Sequence, residues 1–196
     1  MSRLAATILD EGTLRFAFDP AWRAVKWDDT ATYRRGMGTL AGSKGTDFVG
    51  LHPDYGLLLL EVKDFRGHGI ENRQRLRSGE LAIEVACKAR DTIAALVGAA
   101  RQEKPEASLG DRLCQKTLPV KVVLWIESDE AIRDPRAWQQ QLGVLSEHLA
   151  GKLKWLKVRC LAVSRRQFSA QIPDLIVTGL SSPALAEGGR LGQEAK

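Results

Sequence analysis

At 196 residues, 44% of them hydrophobic and 27% charged, the chain has the length and apolar share of one ordinary globular domain. No apolar run approaches the roughly 20 residues of a membrane span, and the first residues lack the apolar stretch of a secretion signal, so no membrane association and a cytoplasmic location are expected. The formal charge of +5 favours a polyanionic partner such as nucleic acid, while the scattered Cys87, Cys114 and Cys160 support neither a disulfide framework nor a zinc site and read as reduced, mostly buried thiols.

Residues 13–18 alternate Leu14, Phe16 and Phe18 with Arg15 and Ala17, and Asp19-Pro20 breaks this strand before a second one over 22–27, which predicts an N-terminal β-hairpin. Asp28-Asp29-Thr30 has the character of a helix cap, and a short helix over 31–40 is expected to end at the glycines 36, 38 and 42. A strand over 46–51, a turn at His52-Pro53-Asp54-Tyr55-Gly56 and a strand over 57–65 make a second hairpin, the clearest local pattern in the chain. Arg66, Arg73, Arg75 and Arg77 then crowd a segment read as a loop. From 80 to about 102, Leu81, Val85, Ala89, Ile93, Leu96 and Ala100 recur at three- and four-residue intervals, the stripe of an amphipathic helix resting on a sheet. Residues 104–116, with Pro105 and Gly110, read as a surface connection, followed by a strand over 120–127 and a helix over 137–153 that Asp134-Pro135 opens. Strands near 156–164 and 174–178 are expected to continue the same sheet. The expected fold is a single α/β domain over 1–180, a central mixed β-sheet flanked by helices with the N-terminal hairpin added, and a flexible tail over 181–196.

Side chains two apart in a strand share a face, so Leu57, Leu59, Glu61 and Lys63 point one way. A strand so apolar that ends in Glu-Val-Lys-Asp carries charge to the rim of the sheet, where α/β proteins commonly bind ligands. If the second hairpin closes about Asp54, Asp47 at the start of its first strand falls beside Glu61 or Lys63. Two converging carboxylates repel unless a cation sits between them, and hard oxygen ligands without histidine or cysteine suit Mg²⁺ or Mn²⁺. Such a site can polarise a phosphodiester and activate water, with Lys63 orienting that water or stabilising the developing charge and the Val62 carbonyl as a further metal ligand. The plain alternative is a surface ion pair at a strand end, worth about 0 to 1 kcal/mol.

The segment Thr46-Asp47-Phe48-Val49-Gly50, followed by Leu58-Leu59-Leu60-Glu61-Val62-Lys63, resembles the PD-(D/E)xK nuclease superfamily. The wider run 45–66, continuing into Lys88-Ala89-Arg90-Asp91-Thr92, is similar to an uncharacterised bacterial family of that type. The resemblance implies a restriction-endonuclease-like core in which Asp47 and Glu61 hold the metal and Lys63 is the catalytic lysine. It also implies an acid from the first helix, for which Asp28 and Asp29 are the candidates. Thr46 stands where the signature has proline.

Glu84, Lys88 and Asp91 fall on one stripe of the long helix, either as an exposed ion-pair ladder or with Lys88 reaching a phosphate. Arg66 and Lys44 are further candidates for phosphate contacts, which position a nucleic-acid backbone without reading bases. Gly42-Ser43-Lys44-Gly45 lacks the spacing of a phosphate-binding P-loop. His52 reads as turn chemistry, and the five tryptophans, spread over different elements, as packing residues in preference to a base-stacking platform. The expected function is Mg²⁺- or Mn²⁺-dependent hydrolysis of phosphodiester bonds in DNA, with RNA second. Its rival is a non-catalytic nucleic-acid-binding or protein-interaction subunit on the same fold, an accessory protein of a bacterial defence or mobile-element system; a homodimer or a protein partner fits either reading.

Overall fold

The alternation of Leu14, Phe16 and Phe18 buries one face of β2 (Leu14–Phe18) completely, and β2 pairs antiparallel with the preceding β1 (Thr7–Glu11) across a turn that Gly12 enters at φ +55°. The N-terminal hairpin therefore exists, but its partner strand lies upstream. The expected partner, β3 (Arg23–Lys26), turns away after Asp19-Pro20 and pairs with another strand. The structure is a computed structural model that describes residues 5–166 and 171–180, so the expected tail at 181–196 lies outside the described residues.

After β3 come a 3-10 turn at Trp27–Asp29, the one-turn helix α1 (Ala31–Arg34) and a second 3-10 turn at Met37–Thr39, where a single longer helix was expected. The glycine-rich composition of this stretch holds it to single turns. Next is the hairpin of β4 (Phe48–His52) and β5 (Gly56–Asp64), as the turn residues predict. His52 fixes that turn, its Nδ1 accepting from the backbone N–H groups of Asp54 and Tyr55. Gly56 closes it at φ +95°, where any Cβ would stand 2.1 Å from the Pro119 carbonyl oxygen.

The segment expected as an arginine-rich loop is α2 (Gly69–Ser78), which ends at Gly79 with φ +76°. The long helix α3 (Glu80–Arg101) follows, then α4 (Ala107–Leu113) inside the expected surface connection, and β6 (Val120–Glu127). After α5 (Glu130–Arg133), α6 (Pro135–Leu153) starts under an Asp134 cap, whose carboxylate accepts from Ala137 N–H. Strands β7 (Arg159–Val163) and β8 (Leu175–Gly179) finish the described chain.

Five strands form a mixed sheet in the order β3-β4-β5-β6-β7, antiparallel up to β5 and parallel beyond it. Central β5 is buried on both faces. Leu57 and Leu59 pack with Val122, Leu124 and Ile126 under α3 and α6, while Leu58, Leu60 and Val62 pack with Val123 and Trp125 against Leu14, Phe16, Leu175 and Val177. All the helices packed on the sheet thus lie on one side. The other side is covered by a second sheet, β1-β2-β8, in which β8 pairs antiparallel with β2 and does not continue the main sheet as expected. Burying each of these Leu or Val side chains contributes about 1.5–3 kcal/mol, so the two apolar layers dominate the fold's stability. Two of the three thiols, Cys87 and Cys114, are exposed, against the expectation for them; only Cys160 is buried. Among the described residues no helix is long and apolar enough to cross a membrane.

Candidate active site

One step beyond the last paired residues of the β4-β5 hairpin, Phe48 and Leu60, the register sets Asp47 opposite Glu61 and Thr46 opposite Val62. The ladder is broken there. Thr46 leaves β5 because its N–H donates 2.9 Å to Thr92 Oγ1 on α3, and Lys44 N–H donates 3.2 Å to Asp91 Oδ2 one residue earlier on the same helix. Asp47 fills the gap: its Oδ2 accepts the Val62 N–H at 2.6 Å. The N–H and C=O of one strand residue face the same edge, so the Val62 carbonyl also faces the Asp47 side, without the Thr46 N–H that would otherwise bond it.

Glu61 is fully buried and Asp47 is 9% exposed. The Glu61 carboxylate is divided in use. Oε1 accepts from Lys88 Nζ at 2.6 Å and lies 2.9 Å from Lys63 Nζ, whereas Oε2 is buried with no hydrogen-bond partner. Lys63 also reaches Glu84 Oε1 at 2.9 Å, and Arg75 of α2 holds Glu84 Oε2 at 2.5 Å. Lys88 stands 4.0 Å from Asp47 Oδ1. The three residues predicted from the β4-β5 pattern therefore meet, and the stripe read as a surface ladder on α3 closes over them. Its Glu84 and Lys88 belong to the cluster, and Asp91 anchors the chain before β4.

The electrostatics follow from burial and sign. Burial pushes the Asp47 carboxyl up to about 7, and the Glu61 charge adds to it, with the Val62 N–H and Lys88 opposing. Burial pulls on Lys63 as well, but Glu61 and Glu84 outweigh it and hold the ammonium above its ordinary value. Lys63 is therefore a cation and not a base at neutral pH. For Glu84, burial is outweighed by Lys63 and Arg75, and its carboxyl lies below the usual range.

The remaining expected site residues lie elsewhere. Asp29 pairs with Arg34 on the surface. Asp28 has a buried Oδ1 without a hydrogen-bond partner, and burial raises its pKa. Arg66 is held by Asp64 Oδ2 at 2.5 Å and Thr13 Oγ1 at 2.5 Å, and with Thr13 it brings the Asp64 carboxyl down to about 2 despite burial. Lys44 is tied in by its backbone. Glu11 at the end of β1 was not anticipated. Held 2.9 Å from Lys26, it raises the pKa of both Asp28 and Asp47 and so belongs to the same acidic neighbourhood. Nothing in the Glu11 sequence context signals this, because β1 reaches the site only through the second sheet.

The donor set fits a hard divalent cation in part. The Asp47 and Glu61 carboxylates, with Glu61 Oε2 unpartnered, and the Val62 carbonyl lie at the same open end of the β4-β5 hairpin. Among the described residues, no three His, Cys, Asp or Glu side chains stand close enough to hold one ion, so the Val62 carbonyl and water would complete any coordination. Comparisons of the chain with protein-family models, with curated proteins and with solved structures gave no match.

Proposed function

We propose that the chain is a metal-dependent nuclease with a restriction-endonuclease-like core, hydrolysing phosphodiester bonds in DNA first and RNA second. The observation that carries this reading is the buried Asp47–Glu61 pair at the open end of β5, with Glu61 Oε2 unpartnered and the Lys63 ammonium beside it. Two neighbouring carboxylates out of water are unfavourable alone, and burial first, with the Glu61 charge added, pushes the Asp47 carboxyl up to about 7. Mg²⁺ or Mn²⁺ would be held by Asp47, Glu61 and the Val62 carbonyl, and when bound supplies Lewis-acid polarisation of a phosphate oxygen and a more acidic water. Lys63, fixed as a cation between Glu61 and Glu84, stabilises negative charge that develops on a phosphoryl group at the rim. Lys88 offers a second ammonium from α3. The net positive charge suits a polyanionic substrate.

One observation favours the rival reading, a nucleic-acid-binding or protein-interaction subunit without catalysis: Glu61 Oε1 is already engaged by two lysines, so the cluster is charge-balanced as it stands. Titration of Mg²⁺ or Mn²⁺ by calorimetry into wild type and Glu61→Gln, with cleavage of linear, circular and single-stranded DNA in parallel, separates the two. The enzyme reading expects binding that releases protons at pH 7 and below, and cutting, both abolished in the variant. Wild type that takes up no metal and cuts nothing, while binding DNA with salt dependence alone, overturns it.

A further inference from the structure

Between Glu147 and Asp174 the sequence holds no acidic residue and six basic ones, Lys152, Lys154, Lys157, Arg159, Arg165 and Arg166. Trp155 lies in the middle of this run, in the 3-10 turn Lys154–Leu156 that closes α6, and is 66% exposed. The other four tryptophans are buried as expected, so Trp155 alone departs from the packing role. Its neighbours across the surface are Ile83, Ala86 and Cys87 of α3, with Arg90 and Lys152 at the rim of a shallow groove of about 190 Å³. Ile83 is itself 48% exposed.

Trp155 and Ile83 form an exposed apolar patch, and the exposed charges nearest Trp155 along the chain, Lys152, Lys154 and Lys157, are all positive. Lys152, Lys154 and Lys157 are exposed and make no ion pair among the described residues. An apolar, aromatic shelf lined by Lys152 and flanked along the chain by the unpaired Lys154 and Lys157 matches a flat π-face joined to phosphates. A protein partner would need acidic residues set around an apolar knob, a more particular requirement. The shelf also adjoins the candidate active site: Ile83 and Cys87 directly precede Glu84 and Lys88 on the same two turns of α3. A strand crossing α3 would pass from one to the other.

We infer that the Trp155–Ile83 shelf is a docking surface for single-stranded nucleic acid, in which Trp155 stacks on an unpaired base and Lys152, Lys154 and Lys157 contact flanking phosphates. This deepens the nuclease reading by naming an unpaired strand as the bound form. Duplex DNA keeps its bases stacked on each other and offers Trp155 no free face.

Trp155 is the exposed one of the five tryptophans, so the difference in emission between wild type and Trp155→Ala isolates its contribution. The test measures the anisotropy of a fluorophore-labelled short oligothymidylate titrated with wild type, Trp155→Ala, Trp155→Phe and the double variant Lys154→Gln/Lys157→Gln, all in chelator, with a matched labelled duplex alongside, and follows wild-type indole emission in parallel with unlabelled strands. Without metal the result does not depend on whether the carboxylate cluster is catalytic, and metal uptake by Asp47 and Glu61 does not depend on Trp155. The expected result is quenching of wild-type emission by the single strand and not by the duplex. Trp155→Ala should bind about tenfold more weakly, with Trp155→Phe in between. The lysine double variant should lower the slope of log affinity against log salt by about 1.4, roughly 0.7 for each phosphate no longer neutralised. Absence of quenching, or undiminished affinity in Trp155→Ala, overturns the proposal. So does a wild type that dimerises through this face, seen as a sedimenting dimer that Trp155→Ala abolishes while oligonucleotide binding stays unchanged.

Discussion

Asp47→Asn should make the metal-free protein more stable at alkaline pH while removing its metal site. In the folded protein the Asp47 carboxyl sits at about 7 because of burial and the Glu61 charge, against 3.8 for an unperturbed aspartate. Its folded value is the higher one, so between the two the native state binds more protons than the unfolded chain, and stability falls as pH rises through that window. The full displacement corresponds to roughly 4 kcal/mol, of which about 1.5 is gone by pH 5 and most of the rest by pH 8. Asparagine keeps an acceptor oxygen for the Val62 N–H but does not ionise, and the attraction of the ionised Asp47 to Lys88 is already contained in the value of about 7. Urea unfolding in chelator should therefore find wild type and variant similar near pH 4, and the variant more stable by roughly 3–4 kcal/mol at pH 8. Adding Mg²⁺ at pH 8 should raise wild-type stability and leave the variant where it is. Parallel pH profiles for the two proteins, or a variant that is less stable at pH 8, would refute the account of Asp47 as a strained carboxylate.

Other expectations follow from the same interactions. Lys63→Gln should keep Mn²⁺ binding, measured by calorimetry, and lower cleavage by about 10²- to 10³-fold, because it removes a charge-stabilising group and not a ligand. Lys88→Met frees Glu61 Oε1 from its 2.6 Å partner, so metal affinity should rise several-fold in the same titration; weaker binding would mean that Lys88 orients the carboxylate. Thr92→Val leaves the buried Thr46 N–H without its acceptor and should cost about 1–3 kcal/mol in urea unfolding, with metal affinity reduced as Asp47 loses its placement.

The heart of the site was legible because it depends on local pairing. A five-residue turn with His52 and Gly56, flanked by apolar runs, fixes the hairpin register, and register alone sets Asp47 opposite Glu61. The α3 stripe and the Asp134 cap of α6 were readable for the same reason. What was hidden depends on the far side of the molecule. Leu14, Phe16 and Phe18 announce a buried face but not what buries it, so the second sheet and the pairing of β8 with β2 could not be read from alternation. Helix α2 is mostly polar; Leu76 is the buried apolar residue among its described side chains, and that gives no periodic signal. Glu84 and Lys88 looked like solvent-facing charges because an i, i+4 pair has the same spacing whether or not a strand end lies beneath it. Trp155 likewise carries no local mark that separates an exposed indole from a core one.

The α3 helix touches the site in two ways from one rigid rod. Lys88 supplies charge to Glu61, and Thr92, one turn further on, holds the Thr46 backbone that places Asp47. These two attachments cannot be adjusted separately. Charge compensation and ligand placement thus rest on one helix, so a substitution that shifts α3 is expected to disturb both together.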